Sequence, residues 1–234
     1  MIHLEQVSKH YLKKAALSDI TLSLTPGTIT GVIGENGSGK STLLKLMAGL
    51  VRPTRGSVTF DGKPVTRRIA SHVSYLSEQE TYYPFYTVQE TIDWQASQFP
   101  DFDHQIAEEI LHFMNLDPED PVKNLSKGNR ARVKILLSLA RKAPLILMDE
   151  PLSGLDPMVR DSIIKGLISF VDLEKQTLVI TTHEVDEIES LLDHVIAIRE
   201  GKIIQSISLE DLHLEEGVNL RQWMNQTYTS STRS

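Results

Sequence analysis

One stretch constrains this chain more than any other: Gly34-Glu35-Asn36-Gly37-Ser38-Gly39-Lys40-Ser41-Thr42. It satisfies the phosphate-loop pattern G-x-x-x-x-G-K-[ST] and lies between an apolar run, Ile29 to Ile33, and a helix-like segment, Thr42 to Leu50. Glycines at 34, 37 and 39 allow a turn tight enough for successive N–H groups to point at phosphate oxygens. A helix beginning near Lys40 aims the positive end of its dipole at the same place. Lys40 adds a mobile charge for the outer phosphates, Ser41 a hydroxyl for Mg²⁺, and Thr42 a hydroxyl for an inner phosphate. A plain glycine-rich turn would explain the glycines but not the strand before them and the helix after them.

At 234 residues the chain can bury a substantial core, and 40% hydrophobic with 24% charged residues is the composition of a globular protein. The net charge of −7 argues against a surface whose main business is nucleic acid, because such surfaces need excess Lys and Arg to displace counterions. Without cysteine, disulfides and thiolate zinc sites are excluded. The opening Met1-Ile2-His3-Leu4-Glu5 lacks the basic-then-apolar layout of a signal peptide. No run approaches the roughly 18 apolar residues of a membrane span. The expected location is cytoplasmic unless a partner holds the chain at a membrane.

The first third reads as β structure: Ile20 to Leu24 alternates and stops at Pro26-Gly27, and Val58-Thr59-Phe60 runs into the turn pair Asp61-Gly62. From about Pro84 to Lys142 the period is helical, with Ile106, Ile110, Phe113 and Met114 on one face and Val133, Leu136, Leu137 and Ala140 on another, until Pro144. Leu145 to Met148 and Leu178 to Thr182 then read as parallel strands buried on both faces, separated by helices over Met158 to Val171 and Glu184 to Leu192. Val195 to Ile198, Glu200-Gly201 and Ile203 to Ile207 predict a hairpin, and the polar run from Gln226 to Ser234 a frayed end.

Sheets of this kind place ligands past the strand C-termini, where Asp149, Glu150 and His183 stand. Asp149 is the expected carboxylate for Mg²⁺, and Glu150 is placed to orient or deprotonate an attacking water. An Asp-Glu pair is otherwise a solvated turn, a strand-end histidine a structural hydrogen-bonder, and Ser126 a helix cap.

Taken in order, these motifs resemble the ATP-binding cassette ATPases, the nucleotide-binding subunits of ABC transporters, from about residue 2 to residue 210. Leu125-Ser126-Lys127-Gly128-Asn129-Arg130 resembles the signature Leu-Ser-Gly-Gly-Gln. Pro151, Ser153-Gly154-Leu155-Asp156 and Thr181-Thr182-His183 match the D-loop and switch-histidine segments. Tyr11, ahead of Ala16 to Ile20, matches the aromatic that stacks on adenine. The resemblance implies an α/β fold with a P-loop NTPase, RecA-like core. It also implies an N-terminal antiparallel β subdomain (both in about 1–84 and 143–215), an inserted α-helical subdomain (85–142) and a C-terminal tail (216–234).

The same resemblance implies Mg²⁺-dependent ATP hydrolysis driving a separate permease at the inner face of the membrane. A second ATPase subunit would dock head to tail, its Ser126 and Gly128 capping the opposite nucleotide. His183 would contact the γ-phosphate, and Asp156 would link the two sites. Asn36 and Ser38 complete the expected nucleotide-binding set.

Two departures carry information. Lys127 and Asn129 stand where Gly and Gln are usual, a variation that resembles the drug-resistance and sodium-export branch and so implies export. Glu78 aligns with the family glutamine that meets Mg²⁺ and the attacking water, with Gln79 one residue away, and a carboxylate can ligate Mg²⁺ as well as an amide. Tyr82, Tyr83, Phe85 and Tyr86 cluster beside that loop, as an interface core or a satellite core would. Two further functional classes are a non-transport ABC ATPase, which usually carries two cassettes, coiled-coil insertions or zinc cysteines, and an ATP-switched regulatory module.

Overall fold

The computed structural model describes residues 1–12, 14–79, 83–183, 185, 188–212, 214 and 219–230. Two sheets dominate it. β1 (Ile2–Tyr11), β2 (Lys14–Ser23), β4 (Arg55–Phe60) and β5 (Lys63–Pro64) form an antiparallel sheet in the order β2-β1-β4-β5. Pro64, which has no N–H to donate, sits on the edge strand as expected. The larger sheet runs β10-β9-β3-β8-β7-β6. β3 is Ile29–Ile33, β6 Val73–Leu76, β7 Leu145–Asp149, β8 Thr177–Thr182, β9 His194–Arg199 and β10 Lys202–Ser208. Five of its strands are parallel, and only the β9–β10 edge is antiparallel.

Alternation along these strands feeds two different cores. Leu145 and Leu147 of β7, Val179 of β8, and Ile196 and Ile198 of β9 pack with β1, β2, β4 and helix α1 (Lys40–Met47). Their neighbours Ile146, Met148, Leu178, Ile180, Val195 and Ala197 pack on the opposite face against helices. A strand buried on both faces needs no polar position, which is why these segments read as unbroken apolar runs. The expected turns at Asp61-Gly62 and Glu200-Gly201 both have two successive positive φ values, 48° and 74° in the first and 48° and 77° in the second. That conformation matches the twist of a hairpin.

The helical layer consists of α2 (Val88–Gln98), opened by a Thr87/Glu90 capping box, α3 (His104–Phe113) and α4 (Lys127–Leu139). Ile110 and Met114 are fully buried as predicted, while Phe113 is half exposed and meets Phe170 edge-on. α4 ends three residues before Lys142 because Arg141 turns inward. It donates to the Asp101 carboxylate and to the carbonyls of Ala70 and Val73, and its guanidinium stacks 3.8 Å from the Phe99 ring centre. That one side chain ties the helical layer to the sheet. Of the aromatic cluster, Tyr83, Phe85 and Tyr86 pack on one another and Tyr83 on Trp94, with Phe85 still largely exposed. Tyr82 lies outside the described residues.

α5 (Pro157–Phe170) is capped by Asp156 and lies close to the helix predicted over Met158 to Val171. The helix expected over Glu184–Leu192 is not seen among the described residues, where a 3₁₀ turn at Glu189–Leu191 stands instead; Glu184, Asp186 and Glu187 lie outside them. Val185, Ile188 and Leu191 are buried at a spacing of three and linked by Ile188 N→Val185 O and Leu191 N→Ile188 O bonds. A three-residue apolar repeat suits a 3₁₀ turn. The frayed end expected from Gln226 is corrected too. After the short α6 (Leu209–Asp211), α7 (Leu220–Ser230) is a helix that buries Leu220 and Trp223 in the core; Ser231 to Ser234 lie outside the described residues.

Candidate active site

The site is built at the C-terminal ends of four parallel strands. Ile33 pairs with Thr182, Asp149 with Thr181, and Leu76 with Met148, so β3, β8, β7 and β6 all deliver their next residues to one edge. Gly34 leaves β3 where a Cβ would lie 2.3 Å from the Ile198 carbonyl oxygen and 2.7 Å from Ser38 Oγ. Gly39, at φ 114°, turns the chain into α1 and offers no side chain to cap it, so the first N–H groups of the helix remain available to an anion. Ser38 Oγ is buried without a hydrogen-bond partner among the described residues.

Lys40 is buried. Its ammonium donates to the carbonyls of Gly34 (2.6 Å) and Glu35 (3.2 Å) and lies 3.1 Å from Glu150 Oε1. The other Glu150 oxygen, Oε2, is 2.8 Å from His183 Nδ1. Glu150 has φ 49°, a left-handed conformation a non-glycine residue rarely adopts, held by a 2.8 Å bond from its N–H to Thr181 Oγ1. Asp149, buried beneath, accepts 2.9 Å bonds on Oδ1 from Ser41 Oγ and Thr181 Oγ1, and a 3.3 Å bond on Oδ2 from the Tyr75 hydroxyl. Burial first, and then the charge of Asp149, push the Tyr75 phenol well above its ordinary pKa, so it stays a donor.

A cleft of about 550 Å³ opens over this network. Its lining includes Tyr11, Asn36, Gly37 and Gly39 to Thr42, together with Glu78, Glu150 and His183. Tyr11 is about half exposed, with the Lys9 ammonium 5.0 Å from its ring centre. Gly34, Ser38 and Asp149 lie beneath that surface. Gln79 is exposed and outside the cleft lining, whereas Glu78 is in it. Lys134 of α4 donates to the backbone carbonyls of Ser77 and Glu78, fixing that loop from the helical side.

Ser126, Gly128 and Asp156 do not line the cleft. Ser126 Oγ caps α4 through Asn129 N (3.1 Å), Asp156 caps α5 through Val159 N (3.1 Å), and Gly128 packs against Val159. Ser41 and Asp149 are hydrogen-bonded to each other, and Glu78 shares the cleft lining with Ser41, giving a sparse oxygen set. It fits Mg²⁺, which takes one or two protein carboxylates and completes its shell with water and phosphate oxygens.

Tyr75, Thr181 as a carboxylate anchor, and Lys134 were not anticipated. For Tyr75 a signal existed: it pairs with Leu147 and shares a sheet face with Asp149 two residues on, the diagonal neighbour of a parallel ladder.

A model of the ABC transporter family matches residues 17–153. The ABC transporter ATP-binding protein YtrB of Bacillus subtilis is 28% identical over 217 residues, 92% of this chain and 74% of that one. The aliphatic sulfonates import ATP-binding protein SsuB of Zymomonas mobilis is 35% identical over 204 residues, 86% and 83% of the two chains. A dimeric bacterial ABC transporter cassette superposes with a TM-score of 0.80 at 25% identity, covering 89% of this chain and 99% of that one. The family model covers more than half of the sequence, and the chain therefore belongs to the ABC transporter family, in which it is an ATP-binding ATPase cassette.

Proposed function

We propose that this chain hydrolyses Mg–ATP as one half of a head-to-tail pair and drives a separate membrane-spanning permease. The carrying observation is the grouping of Lys40, Glu150 and His183 in one cleft, while Ser126 and Gly128 stand outside it, leaving the cleft open to a second subunit. A similar fold forms a dimer in the bacterial cassette described above. Tyr11 stacks on adenine, and the amides of Gly34 to Thr42, with Asn36 and Ser38 among them, cradle the phosphates. Ser126 and Gly128 of the second subunit close on the γ-phosphate, and Asp156 relays between sites.

The two oxygens of Glu150 are held differently, and this sets its chemistry. Oε1 pairs with Lys40, which phosphate oxygens compete for, and Oε2 is held by His183. When Lys40 moves to the phosphates, Oε1 is released to take a proton from water. The water oxygen bonds to the γ-phosphorus, and the bond to the β-phosphate oxygen breaks, its electron pair leaving with ADP. Ser41, Asp149 and Glu78 would hold Mg²⁺, which would supply charge neutralisation for the phosphoryl transfer when bound. The position of Glu78 in the cleft lining supports it over Gln79. Export is the proposed direction, supported by the Lys127-Gly128 variation; the sulfonate relative is an import protein, so direction rests on that variation alone.

Glu150→Gln should lower turnover by about 10²–10⁴-fold while ATP binding persists. Light scattering with ATP should then show a dimer, and a polytopic membrane protein should remain attached to it. Unchanged turnover would remove Glu150 as the base; a monomer would remove the paired site.

A further inference from the structure

The C-terminal helix reaches the underside of the phosphate loop. Leu220 and Trp223 anchor α7 in the core, Thr227 Oγ1 donates to Gln205 Oε1 of β10 at 2.7 Å, and Arg199 donates to the Tyr228 carbonyl at 2.9 Å. The Tyr228 hydroxyl then lies 3.0 Å from the carbonyl oxygen of Ile198 and 3.3 Å from that of Ile33.

Those two carbonyls have specific places. Ile33 is the last residue of β3, directly before Gly34. The Ile198 oxygen is the atom 2.3 Å from where a Gly34 Cβ would stand, so the loop enters its turn against this oxygen. Two residues past β9, the β9–β10 turn supplies a second tie: Gly201 N donates to Ser38 O at 2.8 Å. The phenol therefore bridges two parallel strands just where they part, one into the loop and the other into the turn that supports it. Burial, and then the nearby Glu35 carboxylate, push the phenol up to about 12, so it donates throughout the neutral range.

We propose that Tyr228 is a positioning residue for the phosphate loop, through which docking of α7 and occupancy of the nucleotide site are coupled. The inference rests on the loop being the ATP site. Linkage makes the coupling reciprocal: a helix that favours the binding-ready loop must itself be held more firmly when ATP is bound.

The test uses the full chain and MgATP titrations by calorimetry. Tyr228→Phe keeps the ring and removes the donor, and should weaken ATP binding about three- to tenfold, the worth of one neutral hydrogen bond. KM for ATP should rise in parallel while kcat stays within about twofold. Thr227→Val loosens α7 from β10 but leaves the phenol donor in place, so it should lower the thermal midpoint while costing clearly less ATP affinity than Tyr228→Phe. ATP should slow amide exchange in α7 of the wild type and do so less in Tyr228→Phe. Unchanged ATP affinity in Tyr228→Phe would overturn the proposal, as would an equal loss in Thr227→Val, which would reduce α7 to a general stabiliser. A wild-type chain that fails to bind ATP would overturn the nucleotide-site reading instead.

Discussion

Gly34, at the start of the phosphate loop, and Gly128, in the signature segment, belong to the two halves of the proposed paired site, and they are hemmed in by different things. A Cβ on Gly34 would meet backbone, the Ile198 carbonyl at 2.3 Å, in a strand paired on both sides. A Cβ on Gly128 would meet Val159 Cγ2 at 2.7 Å, the tip of a side chain on α5. The phosphate half is thus cast against a sheet, whereas the signature half rests on a helix-to-helix contact that can give. A rigid half can hold a nucleotide alone, and an adjustable half can arrive with a second subunit.

The largest predicted effect breaks this contrast directly. Gly34→Ala should cost about 3 kcal/mol, at the top of the usual overpacking range, because no rotamer change relieves a clash with a sheet carbonyl. It should also weaken ATP binding at least about tenfold. Gly128→Ala should cost about 1 kcal/mol as Val159 rotates, with single-subunit ATP affinity unchanged. Urea unfolding and ATP titration measure both; equal losses in the two variants would erase the distinction between the halves.

The two halves also differ in how much of them the sequence discloses. The loop, Asp149, Glu150 and His183 are legible because each follows an apolar strand, and parallel strands in register bring their ends together. The Lys40–Glu150–His183 chain of contacts is not legible, since residues 40, 150 and 183 meet only in three dimensions. Tyr228 is less legible still: it sits in a polar run whose composition suggests fraying, and the helix there is held by Leu220 and Trp223 several residues earlier. The stretch after His183 misleads for another reason, because apolar residues at 185, 188 and 191 satisfy the first step of a helical period and also a 3₁₀ one.

Between the halves stands Lys134, rooted in α4 and donating to Ser77 O and Glu78 O beside the cleft. Lys134→Met keeps the apolar stem and removes the donor. Because the bonds are partly solvated, the expected loss is about 1 kcal/mol, roughly a fivefold fall in turnover, with the Mg²⁺ requirement moved upward. A Mg²⁺ titration of ATPase activity checks this. If only thermal stability changes, the loop is not set from the helical side and the halves communicate by another path.

The smallest effect separates two roles of one hydroxyl. Ser126 Oγ accepts from Asn129 N and so caps α4, and its removal as Ser126→Ala should cost about 1 kcal/mol in urea unfolding. Ser126 is not among the residues lining the cleft of its own chain, so ATP affinity of a single subunit should be unchanged. If the hydroxyl also meets the γ-phosphate across the pair, hydrolysis should fall by more than the cap alone explains, and Ser126→Asn should separate the roles. Asn caps a helix as well as Ser does, so stability should return, while its bulkier amide leaves the rate low. Recovery of both stability and rate in Ser126→Asn would leave Ser126 a cap and nothing more.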